Sequence, residues 1–522
     1  MAAAPAQSPA PPRHEAANKW LIAVAVMLAT IMEVIDTTIA NVALLHIRGS
    51  LSAGVDEAAW VLTSYIVANA IIIPLTGWCG AYFGRKRFFI FSILLFVFGS
   101  LMAGAAPNLQ VLVFCRVLQG LGGGAMMPMS QAILMETFPP EQQAVAMSVW
   151  GMGMMIGPVG GPILGGWITD NYSWRWIFYI NVPIGIIALV LAARWLPGFD
   201  TDERVPSAFD TVGFCLLSPG LALLLYALSE VGTTGSYTST SVLVGFFLGV
   251  LLMVGFILHA LRVKNPLLEL HPFKNRNFSI ANICIFVIGA TLFGSMFLLP
   301  IYYQVARGQE AWQAGLLMAP QGIGAACVMR WAGSVTDRLG PRRVVPFGIL
   351  LMAAATVPFA FVTTSTSEAW LAVTLFARGV GLGLSMMPVM AAAYYDLNHA
   401  EIPKATTVLN IVRLIGGSVA TATFAVVLER QIISNLTAAG IKVHAGSAGV
   451  IGATAKLPPP VADPVAAAFA HTFWWSVGAI LLAFIPTLFL PNHAPGAAQG
   501  GDAATEDVAG ADDDRVAEAM LD

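Results

Sequence analysis

Two carboxylates, Glu33 and Asp36, stand three residues apart inside an apolar stretch that runs from Trp20 to about Leu45. On a helix that spacing puts both on one face. An acid at membrane depth is costly unless it is paired, protonated or open to a water-filled cavity, so such acids mark ion and proton pathways. Arg116 lies in a second apolar stretch, within Arg116-Val117-Leu118-Gln119-Gly120-Leu121-Gly122-Gly123-Gly124. A guanidinium there needs an acidic or polar partner, and the first half of the chain offers Glu33 and Asp36. The second half has Arg378 and Arg413 but almost no acid at that depth. Proton chemistry is therefore expected in the first half of the chain, with Asp36 as the candidate carrier. Glu33 belongs either to the same relay or to the wall of a substrate pocket. For each acid the alternative is a satisfied structural hydrogen bond.

The elements that must hold these groups are membrane helices. Of 522 residues, 57% are hydrophobic and only 11% charged, and the mean hydropathy is +0.75. Soluble domains carry roughly a quarter charged residues, so an all-α integral membrane protein is expected. Hydropathy gives fourteen spans, the first near 20–44 and the last near 472–490. Short loops at Arg85-Lys86-Arg87, Arg262 to Arg276 and Arg338-Leu339-Gly340-Pro341-Arg342-Arg343 hold most of the Lys and Arg. By the positive-inside rule that side, with both termini, is cytoplasmic. The expected organisation is a disordered start (1–19), a six-helix bundle (20–196), a linker with two inserted helices (197–278), a second six-helix bundle (279–490, with an external loop over 430–471) and a disordered acidic tail (491–522).

Two internal echoes support paired halves. Gly77-Trp78-Cys79-Gly80-Ala81-Tyr82-Phe83-Gly84-Arg85-Lys86-Arg87 follows the second span, and Gly333-Ser334-Val335-Thr336-Asp337-Arg338-Leu339-Gly340-Pro341-Arg342-Arg343 follows the tenth. Gly120 to Pro128 is repeated in outline by Gly379 to Pro388. Halves in the same orientation are related by an axis along the membrane normal. The fifth span carries a ridge in which Gly153, Gly157, Gly161 and Gly165 recur every four residues. A face without side chains lets a neighbouring helix approach backbone to backbone. Pro158 and Pro162 each remove a donor and are expected to bend the helix. A ridge of this kind on its own equally marks simple packing.

Gly157-Pro158-Val159-Gly160-Gly161-Pro162 resembles the fifth-helix signature of antiporters in the major facilitator superfamily. Trp174 to Gly185 resembles the start of helix six in its fourteen-helix drug:proton antiporters, the EmrB/QacA type. Asp36 to Ala43, the Arg116 stretch and Asn410-Ile411-Val412-Arg413-Leu414-Ile415-Gly416-Gly417-Ser418 resemble further motifs of that family. The resemblance implies a major facilitator fold and proton-driven export of amphipathic small molecules across the inner (cytoplasmic) membrane, with no cofactor beyond the proton gradient. An exporter of one metabolite and a proton-coupled symporter on the same fold are the alternatives. The resemblance assigns Arg116 to proton coupling. It makes Gly77, Gly84, Arg85, Lys86, Gly333, Asp337, Arg338 and Gly340 cytoplasmic gating loops. The first loop departs from the family at Ala81, where an acid is usual, while Asp337 is present in the second. The resemblance also implies a periplasmic membrane-fusion adaptor and an outer-membrane channel as partners in a two-membrane envelope.

A substrate cavity could draw on Glu33, Asn41, Tyr65, Asn69, Gln131, Met155, Tyr303, Asn410 and Arg413. Methionines are soft enough to suit varied apolar ligands, and equally serve helix packing. The five cysteines lie in apolar spans without metal-ligand spacing, and the histidines are scattered, so no metal site and no enzyme site is expected. Nothing in the chain reads as nucleic-acid binding.

Overall fold

The computed structural model describes residues 19–53, 55–196, 208–234, 236–394, 397, 402–441 and 457–492. The expected disordered ends therefore lie almost wholly outside the described residues. So do the side chains of Met155, Pro158 and Asp337. The described chain is helical throughout. The first bundle comprises α1 (Lys19–Ser50), α2 (Val55–Ile72) with its continuation α3 (Thr76–Phe83), α4 (Arg85–Gly104), α5 (Leu109–Thr137), α6 (Pro140–Asn171), and α7 (Trp176–Tyr179) leading into α8 (Asn181–Trp195). Two further helices follow, α9 (Thr211–Thr234) and α10 (Thr240–Ala260). The second bundle contains α11 (Arg276–Ile301), α12 (Ala311–Leu339), α13 (Pro341–Thr356), α14 (Glu368–Tyr394), α15 (Ile402–Ala438) and α16 (Pro459–Thr487). Taking α2 with α3 and α7 with α8, the helices make the fourteen expected passes.

Thirteen of these passes are long and apolar enough to span a bilayer. The exception is α12, which is 29 residues long but carries Gln313, Gln321, Arg330, Asp337 and Arg338. It is the element of the second bundle packed most extensively against α6 of the first, and its Gln313 and Gln321 are half-buried. The ends of α15 and α16 differ from expectation. Helix continues to Ala438 and resumes at Pro459, well inside the stretch expected as loop over 430–471. The cause is composition. The segment 459–471 is rich in Ala, the best helix former, while 430–438 carries α15 onward with Ile432 and Leu436 buried. Leu436, Val465, Ala466 and Phe469 bury there in one cluster with Tyr302 and Tyr303.

The inserted pair lies against α2 of the first bundle and α15 of the second. Trp60 stacks on Tyr226 at 5.6 Å, Thr63 and Ser229 share a hydroxyl contact at 3.1 Å, and Leu228, Val231, Val242, Ala422 and Val426 close an apolar cluster. Asp210, just before α9, accepts from the backbone N–H of Gly213 and Leu267 and meets His259 Nε2 at 2.8 Å. This ties both inserted helices to the loop that enters α11.

The glycine ridge of α6 is the joint that places the two acids. Helix α6 runs unbroken across Pro158 and Pro162, and Gly153, Gly157, Gly161 and Gly165 all face α1. A Cβ added at Gly157 would fall on Val34, one at Gly161 on Thr38, and one at Gly165 on Ile39. The Thr38 hydroxyl donates to the Gly157 carbonyl at 3.0 Å across this contact. The ridge thus packs inside the first bundle. The contact of α6 with the second bundle uses other positions, where Gly151 meets Met329 and Met387 and where Pro162 and Ile163 meet Gly315.

Candidate functional site

Asp36 and Arg116 are both fully buried, and Arg116 Nη1 donates to Asp36 Oδ2 at 2.6 Å. Four helices build the cage around the pair. From α5, Gln119 Nε2 donates to Asp36 Oδ1 at 2.6 Å, and Gln119 Oε1 accepts from Arg116 Nη1 at 2.7 Å. From α8, Asn181 Nδ2 donates to the same Asp36 oxygen at 2.8 Å. From α4, the Ser100 hydroxyl accepts from Gln119 and Asn181 at 3.1 and 2.9 Å and donates to the Phe178 carbonyl. Arg116 Nε donates to the Val61 carbonyl of α2 at 3.0 Å, and its guanidinium carbon lies 4.1 Å from the centre of the Tyr65 ring. Close helix approach makes this reach possible. A Cβ at Gly122 would strike the α4 backbone at Phe96 and Ser92. A buried ion pair holds only when its remaining lone pairs and protons are also satisfied, and here three donors converge on the carboxylate. Two of them meet Oδ1 and one meets Oδ2, which keeps a lone pair free.

The motif from Trp174 to Gly185 explains how Asn181 gets there. Arg175 Nη1 donates to the Gly104 and Ala106 carbonyls at 3.0 and 2.6 Å, pinning the one-turn α7 to the end of α4. Asn181 then opens α8 already inside the bundle. Sequence reasoning gave Gln119, Ser100 and Asn181 no role. Their only signal was polarity within apolar spans.

Glu33 sits one turn from Asp36, buried at 6% exposure, on the wall of a cavity between the bundles. The cavity holds about 130 Å³ measured at solvent centres, within about 930 Å³ of empty space that includes its mouth. Glu33 Oε1 accepts from Asn69 at 3.3 Å, and its Oε2 is buried without a partner. Across the cavity, α15 of the second bundle presents Asn410 and Arg413. Met127, Met154, Phe293 and Met296 supply soft apolar lining. On the side nearer the basic loops the bundles are tied by Asn410 Nδ2 donating to Gln131 Oε1 at 2.9 Å and by the Thr76 and Thr407 hydroxyls at 3.4 Å.

Of the residues expected in a cavity, Glu33, Tyr65, Asn69, Asn410 and Arg413 line it. Gln131 is one hydrogen bond removed, beneath Asn410. Asn41 does not belong. It is exposed and donates to the Thr37 carbonyl one turn back; it shares the side of α1 that carries the cavity-lining Val34 but stands about two turns further along the helix. Tyr303 does not belong either. It is buried in the apolar cluster where α11 ends in a widened turn, Tyr302–Ala306.

At the basic loops, Gly84 and Gly340 hold the left-handed φ values of 85° and 79° that start α4 and α13. Arg85 is ion-paired with Glu136 at the end of α5, so an acid from another helix meets the loop that lacks one at Ala81. Lys86 Nζ donates to the Leu196 carbonyl at 2.6 Å, and Arg338 is exposed. Gly77 has open space around it, and Gly333 lies within α12, half-buried.

Two helical bundles flanking a cavity with opposed charged walls, beside a caged buried ion pair, define a membrane transporter. Comparison with known proteins agrees. Residues 26–421 match the Major Facilitator Superfamily. A multidrug resistance protein B homolog of Mycobacterium tuberculosis (strain ATCC 25618 / H37Rv) is 36% identical over 483 residues, spanning 90% of this chain and 89% of that protein. The multidrug export protein EmrB of Escherichia coli (strain K12) is 34% identical over 413 residues, spanning 78% and 80%. Among solved structures, the human organic anion transporter MFSD10 (TETRAN) shares the fold with a TM-score of 0.57 at 16% identity, covering 92% of this chain and 100% of that one. The chain belongs to the major facilitator superfamily, with relatives of the EmrB type.

Proposed function

We propose that the chain is a proton-coupled exporter of amphipathic small molecules that works by alternating access in the inner (cytoplasmic) membrane. The observation that carries this reading is the pair of sites on one helix. Asp36 lies in a closed polar cage, and Glu33, one turn away, faces a methionine-lined cavity shared by both bundles. The relatives named as multidrug exporters support it. Two ligands with opposite preferences for two access states exchange across the membrane by linkage. A proton on Asp36 loosens its cage and favours one state, while substrate in the cavity favours the other. The decisive measurement is substrate movement in proteoliposomes under an imposed pH gradient. Accumulation against the substrate gradient, opposite in direction to the protons, is the expected result. Accumulation in the same direction as the protons would mean symport.

The basic loops support a cytoplasmic position for both termini in this reading, and the Asn410–Gln131 tie then closes the cavity on the cytoplasmic side. Reporter fusions within 442–456, between α15 and α16, should read as external, and fusions after residue 492 as cytoplasmic. The opposite labels would invert the topology. A periplasmic adaptor and an outer-membrane channel complete the reading for a two-membrane envelope. Cross-linked membranes from which the chain recovers no adaptor would remove that part.

A further inference from the structure

Of the three buried or half-buried arginines in the site and its surroundings, two are held by three or four oxygen acceptors each. Arg116 meets Asp36, Gln119 and the Val61 carbonyl. Arg378 meets Thr356, Gln321, Ser295 and the Thr291 carbonyl. Arg413 differs. Its single oxygen acceptor is Asn410 Oδ1 at 2.9 Å, and its other contacts are the sulfurs of Met127 and Met154. A guanidinium has five N–H donors and no acceptor, so Arg413 keeps donors in hand at the wall of an apolar cavity. Glu33 on the facing bundle has the complementary deficit, a buried Oε2 with no donor. Among the described residues, neither Glu33 nor Arg413 stands in an ion pair, with each other or with a third group.

From this we infer the substrate class, on the footing that the chain is the exporter proposed above. The cavity takes dipolar amphiphiles, with the anionic group on Arg413, the ammonium on Glu33 and the apolar body among Met127, Met154, Phe293 and Met296. Electrostatics inside a low-dielectric cavity makes the choice. A cation that satisfies Glu33 is repelled by Arg413, and an anion that satisfies Arg413 is repelled by Glu33. A neutral molecule without polar groups meets neither the Glu33 carboxyl nor the Arg413 guanidinium and leaves their hydrogen-bonding atoms unmet across the cavity, which is costly. A molecule carrying both charges satisfies both walls, and it bridges the two bundles as it does so. Arg413 is then the residue that sets charge preference, on the opposite bundle from the proton-linked Asp36.

Three fluorescent probes with nearly the same body test this. They are dansylcadaverine (cationic), ε-dansyl-lysine (zwitterionic) and dansyl-6-aminohexanoate (anionic). Binding is measured near neutral pH to the full chain in nanodiscs, with empty nanodiscs subtracted. The wild type should bind ε-dansyl-lysine about tenfold more tightly than either singly charged probe, the size expected of one charged hydrogen bond. Arg413→Gln should bring the zwitterion down to the level of the cation while the cation binds as well as before or better, which also reports that the variant is folded. Glu33→Gln should bring it down to the level of the anion. Arg413→Lys should recover part of the preference. Equal binding of all three probes by the wild type, or an unchanged order in a folded Arg413→Gln, overturns the inference. Vesicle transport separates the two levels. If a pH gradient drives dansylcadaverine but the three probes bind alike, the charge assignment alone fails. If the gradient drives none of the probes, the exporter reading fails with it.

Discussion

Asp36→Asn should yield a protein that binds and exchanges substrate but cannot concentrate it. At about 100 mV one inward proton supplies roughly 2.3 kcal/mol, enough to hold a neutral substrate at a concentration ratio of about fiftyfold. The variant should fall to a ratio near one, with downhill exchange retained. Asparagine keeps the size and accepts at one oxygen, so Arg116, Gln119 or Asn181 can still donate to it, but it cannot take up and release a proton. It also leaves Arg116 without its counter-charge, and truncating one partner of a buried pair commonly costs about 3–5 kcal/mol. Substrate binding by the purified variant is therefore the control for folding. Arg116→Ala should lose uphill export as well, because Asp36 then stands in the cage without the charge that holds it. The assay is efflux from vesicles with and without an imposed pH gradient, at matched expression. An Asp36→Asn variant that still builds a substrate gradient would remove Asp36 from the coupling step and direct attention to Glu33.

Gly161→Leu should abolish export by acting on α1 alone. Even a Cβ at this position would fall on the Thr38 hydroxyl, so leucine must push α1 off the ridge and break the Thr38–Gly157 hydrogen bond. Overpacking a well-fitted contact costs about 1–3 kcal/mol or more. Here it also displaces the helix that carries both Glu33 and Asp36. Transport should drop more than about tenfold, the equivalent of roughly 1.4 kcal/mol at the transition step, and Gly161→Ala should fall between. Its neighbour gives the contrast. A Cβ at Gly160 meets nothing outside its own helix, so Gly160→Leu should transport nearly normally. Equal damage from Gly160→Leu and Gly161→Leu would mean that the ridge matters through helix stability and not through its contact with α1. Thr38→Ala, which removes the clashing oxygen, should partly rescue Gly161→Ala.

Most of the fold is legible in the sequence because the bilayer imposes one length on every span and loop charge imposes one orientation. The count of passes follows from the first constraint, and the paired halves from the echo of Gly77–Arg87 in Gly333–Arg343. The pairing of Asp36 with Arg116 is legible too, since an intramembrane guanidinium must find an acid and few acids are available. Other features depend on helix rotation, which hydropathy does not report. Gly157 and Gly161 announce a close contact but not its partner, and that partner is α1 rather than the other bundle. Asn41 shares Val34's side of α1 yet stands about two turns beyond it, outside the cavity. Tyr303 lies at the end of its span, where the backbone widens and turns it into the cluster around Phe469. Asn181, Gln119 and Ser100 are individually ordinary, and only the convergence of α4, α5 and α8 shows that they serve one carboxylate.

The separation of Asp36 from Arg116 along the chain, eighty residues, also sets a timetable for biogenesis. At about 5–20 residues per second of synthesis, α1 reaches the membrane on the order of 4–16 seconds before its counter-ion is made. Gln119 comes only just behind Arg116, and Asn181 later still. For that interval the first helix holds two acids with no cation to meet, each opposing insertion by roughly 2.5–3.5 kcal/mol on translocon scales if charged. The apolar bulk of α1, with a mean hydropathy of 1.9 over its best window, has to carry them in. The ion pair therefore cannot form before α5 enters the membrane, and its cage is complete only once α8 has brought Asn181 to Asp36.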